Sequence, residues 1–488
     1  MKALTKKQKV LIGVLVPVSA IVLVLVIIMS VAVVRSKADR TVASGTLSML
    51  GNLIRAKNSV KYETFDNQGL YADEDSYPVT DFRVSMSAMN HWEDGTDYAD
   101  YDYTYSYTDP DGNEQTAGNL KELQQMFNLY GATEMYVRIN TTRHYPDESV
   151  HDYYPARMHC LDESMKAVTT AVELGMPINV ELGCFAAYSD AFESQAPIFD
   201  EYFEEELGIV YPKDASGNRK AWSAMSIEEI CLVLKGYGRF VATQIRATGA
   251  RVEVWDLGNE TNYGFGGVMM PLKTSFSKAT SKQFWVTYLK KNFGADWLAK
   301  NIWCYNGQMF AALKEGILEA YPETERASLK FSSHISTVTW GADYTVKYFK
   351  TLAANGYMVD QAGISYYPNA TGVILDKISQ IKQIVLAVNR ELGVNVMLAE
   401  YGYANETGLA SGTFASGNNE VHGYKLTDED AAKFLSELIT WGKKNGLAGI
   451  RPWAPELDWA NPWFDFNNET KTATAKQALF DALKDAVK

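Results

Sequence analysis

From about residue 80 the chain alternates between apolar residues at helical spacing and short β-rich apolar runs, with a glycine at most junctions. The junctions read LYG-ATEMYVRIN at Gly131, ELG-MPINVEL at Gly175, ATG-ARVEVW at Gly249, ANG-YMVDQAGISYY at Gly356, ELG-VNVMLAEY at Gly393 and KNG-LAGIRPW at Gly446. Glycine there supplies the left-handed residue that ends a helix and turns the chain into the next strand. A seventh junction ends on Ala320-Tyr321-Pro322 before a run at Leu329–Ile335, and a first strand over Phe82–Met89 needs no helix before it. The pattern thus predicts eight strands, seven intervening helices and a last helix over Thr472–Lys488. Ser226-Ile227-Glu228-Glu229 predicts a capping box, and Thr427-Asp428-Glu429-Asp430 a second capped helix start. Eight alternations over residues 76–488 predict an α/β fold, a (β/α)8 TIM barrel. A doubly wound open sheet is the alternative; it usually has fewer units and often a GxGxxG turn, which this chain lacks.

The longest inserts follow strands, at the end where such a barrel keeps its site. Glu93–Gly112 is acidic and tyrosine-rich, Asn262–Tyr305 contains Trp285, Trp297 and Trp303, and Asn405–Lys425 is rich in Gly, Ser and Asn. Ahead of the barrel, Lys2, Lys6, Lys7 and Lys9 precede an uncharged run over 10–34, followed by Arg35, Lys37 and Arg40. That length suffices to cross a bilayer, and the basic cluster would stay inside, which predicts a transmembrane signal-anchor with the body outside. Residues 35–75 read as a tether and lead-in. A cleaved leader is the competing reading, because Ser30-Val31-Ala32 fits a small-x-small site. Either reading exports the body, to the extracellular face of the cell membrane or into the medium.

Composition adds three constraints. Apolar content of 47%, with 20 Phe, 29 Tyr and 11 Trp, is enough for a large core. The formal charge is −13, yet the first forty residues hold seven basic groups and one acid, so the remainder carries −19. Such a body would repel nucleic acid and anionic lipid but not a neutral polymer. Cys160, Cys184, Cys231 and Cys304 show no metal-type spacing and read mostly as buried free thiols.

Two strands end on a glutamate. The run at Val252–Leu257 stops at Gly258-Asn259-Glu260, and the run at Val394–Glu400 is followed by Tyr401. Either acid alone reads as a solvated loop carboxylate. Two on one barrel mouth are the minimum equipment for cleaving a glycosidic bond, one protonated to release the leaving sugar and one ionised to attack the anomeric carbon.

The residues around them resemble a known family. Gly258-Asn259-Glu260-Thr261-Asn262-Tyr263-Gly264 resembles the acid/base motif of glycoside hydrolase family 53, the endo-β-1,4-galactanases of clan A. Gly363-Ile364-Ser365-Tyr366-Tyr367-Pro368 is similar to its strand-six motif, Tyr188-Ser189-Asp190 to part of its strand-three motif, and Trp453 and Pro455 fall where it has Trp-Glu-Pro in strand eight. The resemblance implies Glu260 as general acid/base, Glu400 as nucleophile and retention of configuration. It also implies Arg138 holding the nucleophile ionised, Asn259 on the sugar 2-hydroxyl, Tyr367 (or Tyr366) bonded to the nucleophile and Trp453 as a sugar platform. Tyr188, Asp190 and, at a strand-five end, His334 complete the expected substrate contacts. The chain departs from the pattern at Ala187, Ala454 and Arg83, where the family has His, Glu and Asp, and in the Ala399-Glu400-Tyr401-Gly402 context. These departures bear on galactan specificity more than on hydrolysis. His144, His151 and His159 lack zinc spacing, the loop after strand seven lacks an EF-hand pattern, and neither metal nor cofactor is expected. The expectation is an enzyme for β-linked plant polysaccharide, most of all β-1,4-galactan. Its rivals are another clan A activity (β-mannanase, β-glucanase or β-galactosidase) and a non-catalytic carbohydrate-binding surface protein.

Overall fold

The structure is a computed structural model that describes residues 64–65, 76–88, 100–143, 159–186, 189–190, 193–194, 196–268, 294–336, 341–369, 377–404, 421, 423–457 and 463–488. The anchor predicted at 10–34 and the tether, apart from Thr64 and Phe65, lie outside the described residues. Among the described residues no helix is long and apolar enough to cross a membrane.

Eight parallel strands form one curled sheet: β1 Arg83–Val84, β2 Met135–Ile139, β3 Ile178–Leu182, β4 Val252–Leu257, β5 Phe331–Ile335, β6 Gln361–Tyr366, β7 Asn395–Tyr401 and β8 Leu447–Pro452. They pair in sequence order from β2 to β8, and β8 pairs with β1. Ser85 bridges Glu134 in parallel, and Thr133 N donates to Val84 O at 2.9 Å, so β1 and β2 also meet. This is a (β/α)8 arrangement. The long helices follow in turn: α1 Leu120–Leu129, α2 Leu161–Glu173, α3 Ile227–Ala247, α4 Cys304–Glu319, α5 Gly341–Ala354, α6 Lys377–Leu392, α7 Asp428–Asn445 and α8 Gln477–Val487.

The predicted junctions take the expected form. Gly131, Gly175, Gly249, Gly356, Gly393 and Gly446 all have positive φ, from 67° to 106°. Ser226 and Glu229 make the reciprocal capping box of α3, and the Thr427 side chain accepts from Asp430 N at the start of α7. Where α3 packs on α4, a Cβ on Gly238 would sit 2.7 Å from Leu313 O, so glycine permits the close approach.

Two departures come from one accessory sheet. The strand Asp100–Thr108 lies inside the first insert and pairs with Glu114–Asn119 and, in parallel, with Thr472–Ala475, which pairs with Phe464–Asn467. The last helix therefore begins at Gln477, five residues later than predicted, because 472–475 are drawn into the sheet. Tyr105 is fully buried there, edge-on to Phe464 at 4.9 Å. The four cysteines are free; Cys160 and Cys184 are buried, and Cys231 and Cys304 only half-buried. From the lead-in, Phe65 is buried against Phe434 and Trp441 of α7.

Candidate active site

The strands obey a period of two, with apolar side chains toward the helices and polar ones toward the lumen. On β3, Ile178, Val180 and Leu182 join the outer core, whereas Asn179 and Glu181 belong to a buried polar network. The same alternation turns Arg138 of β2, Asp256 of β4, His334 of β5 and Arg451 of β8 inward, where a barrel of this class more often packs Val, Ile and Leu.

The network climbs through the lumen. Near the strand starts, Arg83 pairs with Glu134 at 3.5 Å and donates to Gln361, and Asn179 Nδ2 donates to Glu134 at 3.0 Å. Arg83 thus fills the place of the family's strand-one aspartate as an internal cation. One level up, Arg451 donates through Nη1 to Glu181 Oε2 at 3.2 Å and through Nη2 to Asn179 Oδ1 at 2.8 Å and Asp256 Oδ2 at 3.4 Å. Its guanidinium lies 4.1 Å from the centre of the Tyr136 ring. Glu181, Asp256 and His334 bring three ligand-type atoms within 4.8 Å of one another, but Arg451 already bridges the two carboxylates.

At the mouth, Arg138 is the hub. Its Nε lies 2.6 Å from Glu181 Oε1, and its Nη2 donates to Asn259 Oδ1 at 2.9 Å and to Glu400 Oε1 at 3.2 Å. Burial alone would depress this guanidinium; Glu181, Tyr136 and Glu400 hold its pKa well above the ordinary value. The other oxygen of Glu400 accepts from Tyr367 Oη at 2.7 Å. Burial, then the charges of Glu400 and Glu260, push the Tyr367 phenol well above its usual range, so both acids act on this one hydroxyl.

Local backbone irregularities aim both acids. On β7, Val396 and Leu398 face the helices, and simple alternation would send residue 400 the same way. Instead Leu398 pairs with Ile364 and Glu400 with Ser365, leaving Ala399 as an extra residue. The bulge reverses the alternation, turns Glu400 toward Arg138 and returns Tyr401 to the outer core. Beyond β4, Gly258 has φ +79°, and a Cβ there would come within 2.9 Å of the Phe265 ring. Glu260 itself is left-handed, at φ 46° and ψ 50°, a conformation that costs a non-glycine residue about 1–2 kcal/mol. Its neighbours hold it: Thr261 Oγ1 contacts Tyr348 Oη at 2.6 Å and donates to His334 O at 3.0 Å. Trp303 Nε1 donates to Asn262 O at 2.9 Å, and Ser336 N donates to Asn262 Oδ1 at 3.0 Å.

Eight of the ten expected site residues can be followed to this mouth or its walls. Glu260, Glu400, Arg138, Asn259 and Tyr367 converge. Tyr366 is fully buried against Phe434 and serves packing. His334 is fully buried too, so it meets Asn259 and Asp256 where a substrate contact was expected. Trp453 is half-buried and packs on a small apolar cluster of Tyr136, Ala454 and Leu457. Tyr188 lies outside the described residues; Asp190 is in a short two-stranded ribbon with Glu193, beyond β3. Sequence reasoning missed Glu181, Asp256, Arg451 and Tyr136. A charged residue inside an otherwise apolar run, as in INVEL, VWDL and GIRP, is the signal that could have found them. His159 was noted in the sequence only for lacking zinc spacing. It is buried beside Arg138 beyond β2, and burial, then that guanidinium, keeps it neutral.

The sequence profile of glycosyl hydrolase family 53 matches residues 214–488, more than half of the chain. The chain belongs to that family. It is therefore a glycoside hydrolase, and a divergent one. Among solved structures, the Ignisphaera aggregans GH53 catalytic domain is similar at 16% identity and a TM-score of 0.55, covering 87% of this chain and 99% of that domain. A structure from work on two fungal β-1,4-galactanases is similar at 13% identity and a TM-score of 0.52, covering 78% and 94%. At such identities these likenesses establish the fold. No curated protein matches the chain. Within the family 53 hydrolase, Ala454 takes the strand-eight place of a glutamate, at φ 48° and fully buried, so an apolar side chain lies below Trp453.

Proposed function

We propose that this chain is a retaining endo-glycosidase that cleaves β-linked plant polysaccharide, β-1,4-galactan first among candidates. The observation that carries the reading is the setting of Glu400 at the end of β7, bonded to Arg138 and to the Tyr367 hydroxyl, on the same barrel mouth where Glu260 follows β4. Glu400, bonded to Arg138 and Tyr367, is held in place to attack the anomeric carbon. Glu260 takes the part of the acid that protonates the leaving oxygen, then the base that activates water. Asn259 binds the 2-hydroxyl of the sugar at the scissile bond, and Trp453 offers its ring to the C–H face of that sugar. Asp190 and Tyr188 contribute beyond β3. Galactan is favoured by family membership and by the galactanases that share the fold.

The 10–34 segment serves as an uncleaved anchor and 35–75 as a tether, which places residues 76–488 on the extracellular face of the membrane. One observation favours a second substrate reading within clan A: Ala454 and Ala187 remove polar groups that the family uses around the sugar, so a β-mannan or β-glucan could replace galactan. A polysaccharide panel tests both, with reducing ends counted and the anomeric configuration of first products followed by NMR. Galactan cleavage with retention is expected. Cleavage of mannan or glucan alone selects the second reading, and inversion removes the double-displacement mechanism.

A further inference from the structure

The hydrogen bonds around Asn259 determine the charge on His334. Asn259 Oδ1 receives Arg138 Nη2 at 2.9 Å, and a guanidinium can only donate, so the amide oxygen, not its nitrogen, must point inward. His334 Nε2 lies 3.0 Å from the same oxygen and must therefore also carry a proton. On the far side of the ring, Nδ1 lies 3.1 Å from Asp256 Oδ2. That carboxylate is kept ionised by Arg451 Nη2, 3.4 Å from the same oxygen, and by Ser332 Oγ donating to Oδ1 at 3.1 Å. An unprotonated Nδ1 would set a lone pair against an anion, so both ring nitrogens hold protons. Charge balance agrees. The groups facing the ring are Asp256 on β4, Glu181 on β3 and Glu400 on β7, against Arg138 on β2 and Arg451 on β8. With an imidazolium the buried cluster is three cations against three anions; with a neutral ring it would hold one unmatched carboxylate.

We infer that His334 is a positioning residue that stays protonated through neutral pH, clamped by Asp256, which locks Asn259 with its oxygen inward and its amide nitrogen turned away from the lumen as a donor to the hydroxyl next to the reacting carbon. The substrate half of this inference rests on the glycosidase reading above; the protonation half does not. The clamp sets which end of Asn259 a sugar meets. A neutral ring would release one of the two inward bonds and let the amide turn, and the loss would fall on the transition state, where the contact with the 2-hydroxyl strengthens.

Two measurements on the full chain test it. The chain has six histidines, so in protein labelled at the histidine ring carbons the His334 resonance is the one missing from the His334→Gln variant. It is expected to stay at the imidazolium position as the pH rises through about 6.5, where ordinary histidines titrate. A neutral-ring shift at pH 6 overturns the inference. The second measurement compares an aryl β-galactobioside with its counterpart lacking the 2-hydroxyl on the sugar at the scissile bond. His334→Gln should lower kcat on the first by up to about a hundredfold with KM little changed, and leave cleavage of the second as in the parent. Equal losses on both would make His334 a merely structural residue and overturn the positioning role. A protein that cleaves no β-glycan sinks the glycosidase reading, and the resonance still decides whether the ring carries its charge.

Discussion

The lumen of this barrel and the layer between its strands and helices are built from opposite materials. The outer layer is one continuous apolar core, with Val180, Leu257, Ile364, Leu398 and Leu438 all fully or almost fully buried. The lumen holds Arg83, Glu134, Arg138, Glu181, Asp256, His334, Glu400 and Arg451, each at most half-exposed and most of them sealed from solvent. Burial of apolar area stabilises at roughly 25 cal/mol per Å², with little demand on exact geometry. Buried ion pairs contribute little net stability, because desolvation offsets attraction, but they are strongly position-dependent. The difference teaches a division of labour. The outer layer holds the barrel together, and the lumen fixes where the reacting groups stand.

That contrast can be broken in order of size. On the proposed mechanism, Glu400→Gln should leave the fold intact and lower kcat by about 10⁴-fold or more, because it removes the attacking carboxylate. A single-turnover assay beside an unchanged circular dichroism melt checks this, and retained turnover would remove Glu400 from the chemistry. Arg451→Met leaves Glu181 and Asp256 buried without their shared cation, and should cost about 3–5 kcal/mol in chemical denaturation. If stability is unchanged, the lumen is better hydrated than its burial implies. Leu438→Ala, in the wall, should cost about 2–5 kcal/mol by lost transfer energy and a cavity, while the pH profile of the remaining activity keeps its shape.

The two regions should also answer differently to pH. His334 is raised: burial opposes its charge, but Asp256 outweighs that. Its contribution to stability is complete below the unfolded value of about 6.5 and is lost as pH rises through the folded value. Asp256 is lowered, with burial opposed by His334 and Arg451. Its contribution is present above the unfolded value of about 3.9 and is lost as pH falls through the folded value. Melting temperature should therefore decline on the alkaline side in the parent and in Leu438→Ala alike, and decline less in His334→Gln. Parallel curves for all three would show that His334 does not titrate with folding. The smallest effect concerns the accessory sheet. Tyr105 Oη donates to Glu456 O at 3.1 Å, tying the sheet to the loop that follows Trp453. Tyr105→Phe should cost about 1 kcal/mol, read by denaturation, with KM rather than kcat shifted if the tie steadies the sugar platform.

Much of this was legible in the residues themselves. Helix and strand periods, the six junction glycines and the Ser226 cap are short-range properties, set by sterics and hydrogen bonding within a few residues, so the eightfold alternation could be read directly. The glutamates ending β4 and β7 were visible for the same reason. Pairing across the chain was not. The segment 472–475 has no strand signature of its own beyond β-branched and small residues, and it becomes a strand between two partners, Phe464–Asn467 and the distant Asp100–Thr108. His334 read as a substrate contact, because a sequence does not reveal that Asp256 and Asn259 enclose it from both sides.

What the sequence determined alone was the order of elements and the class of fold, since these follow from local backbone preference and spacing; it also showed a glutamate after β4 and another on β7. Only the tertiary structure decided which way those acids point. On β7 the period of two assigns residue 400 to the helix side, and the unpaired Ala399 reverses it. A bulge is a relation between neighbouring strands, created by their register, and register is settled only when distant segments pack together.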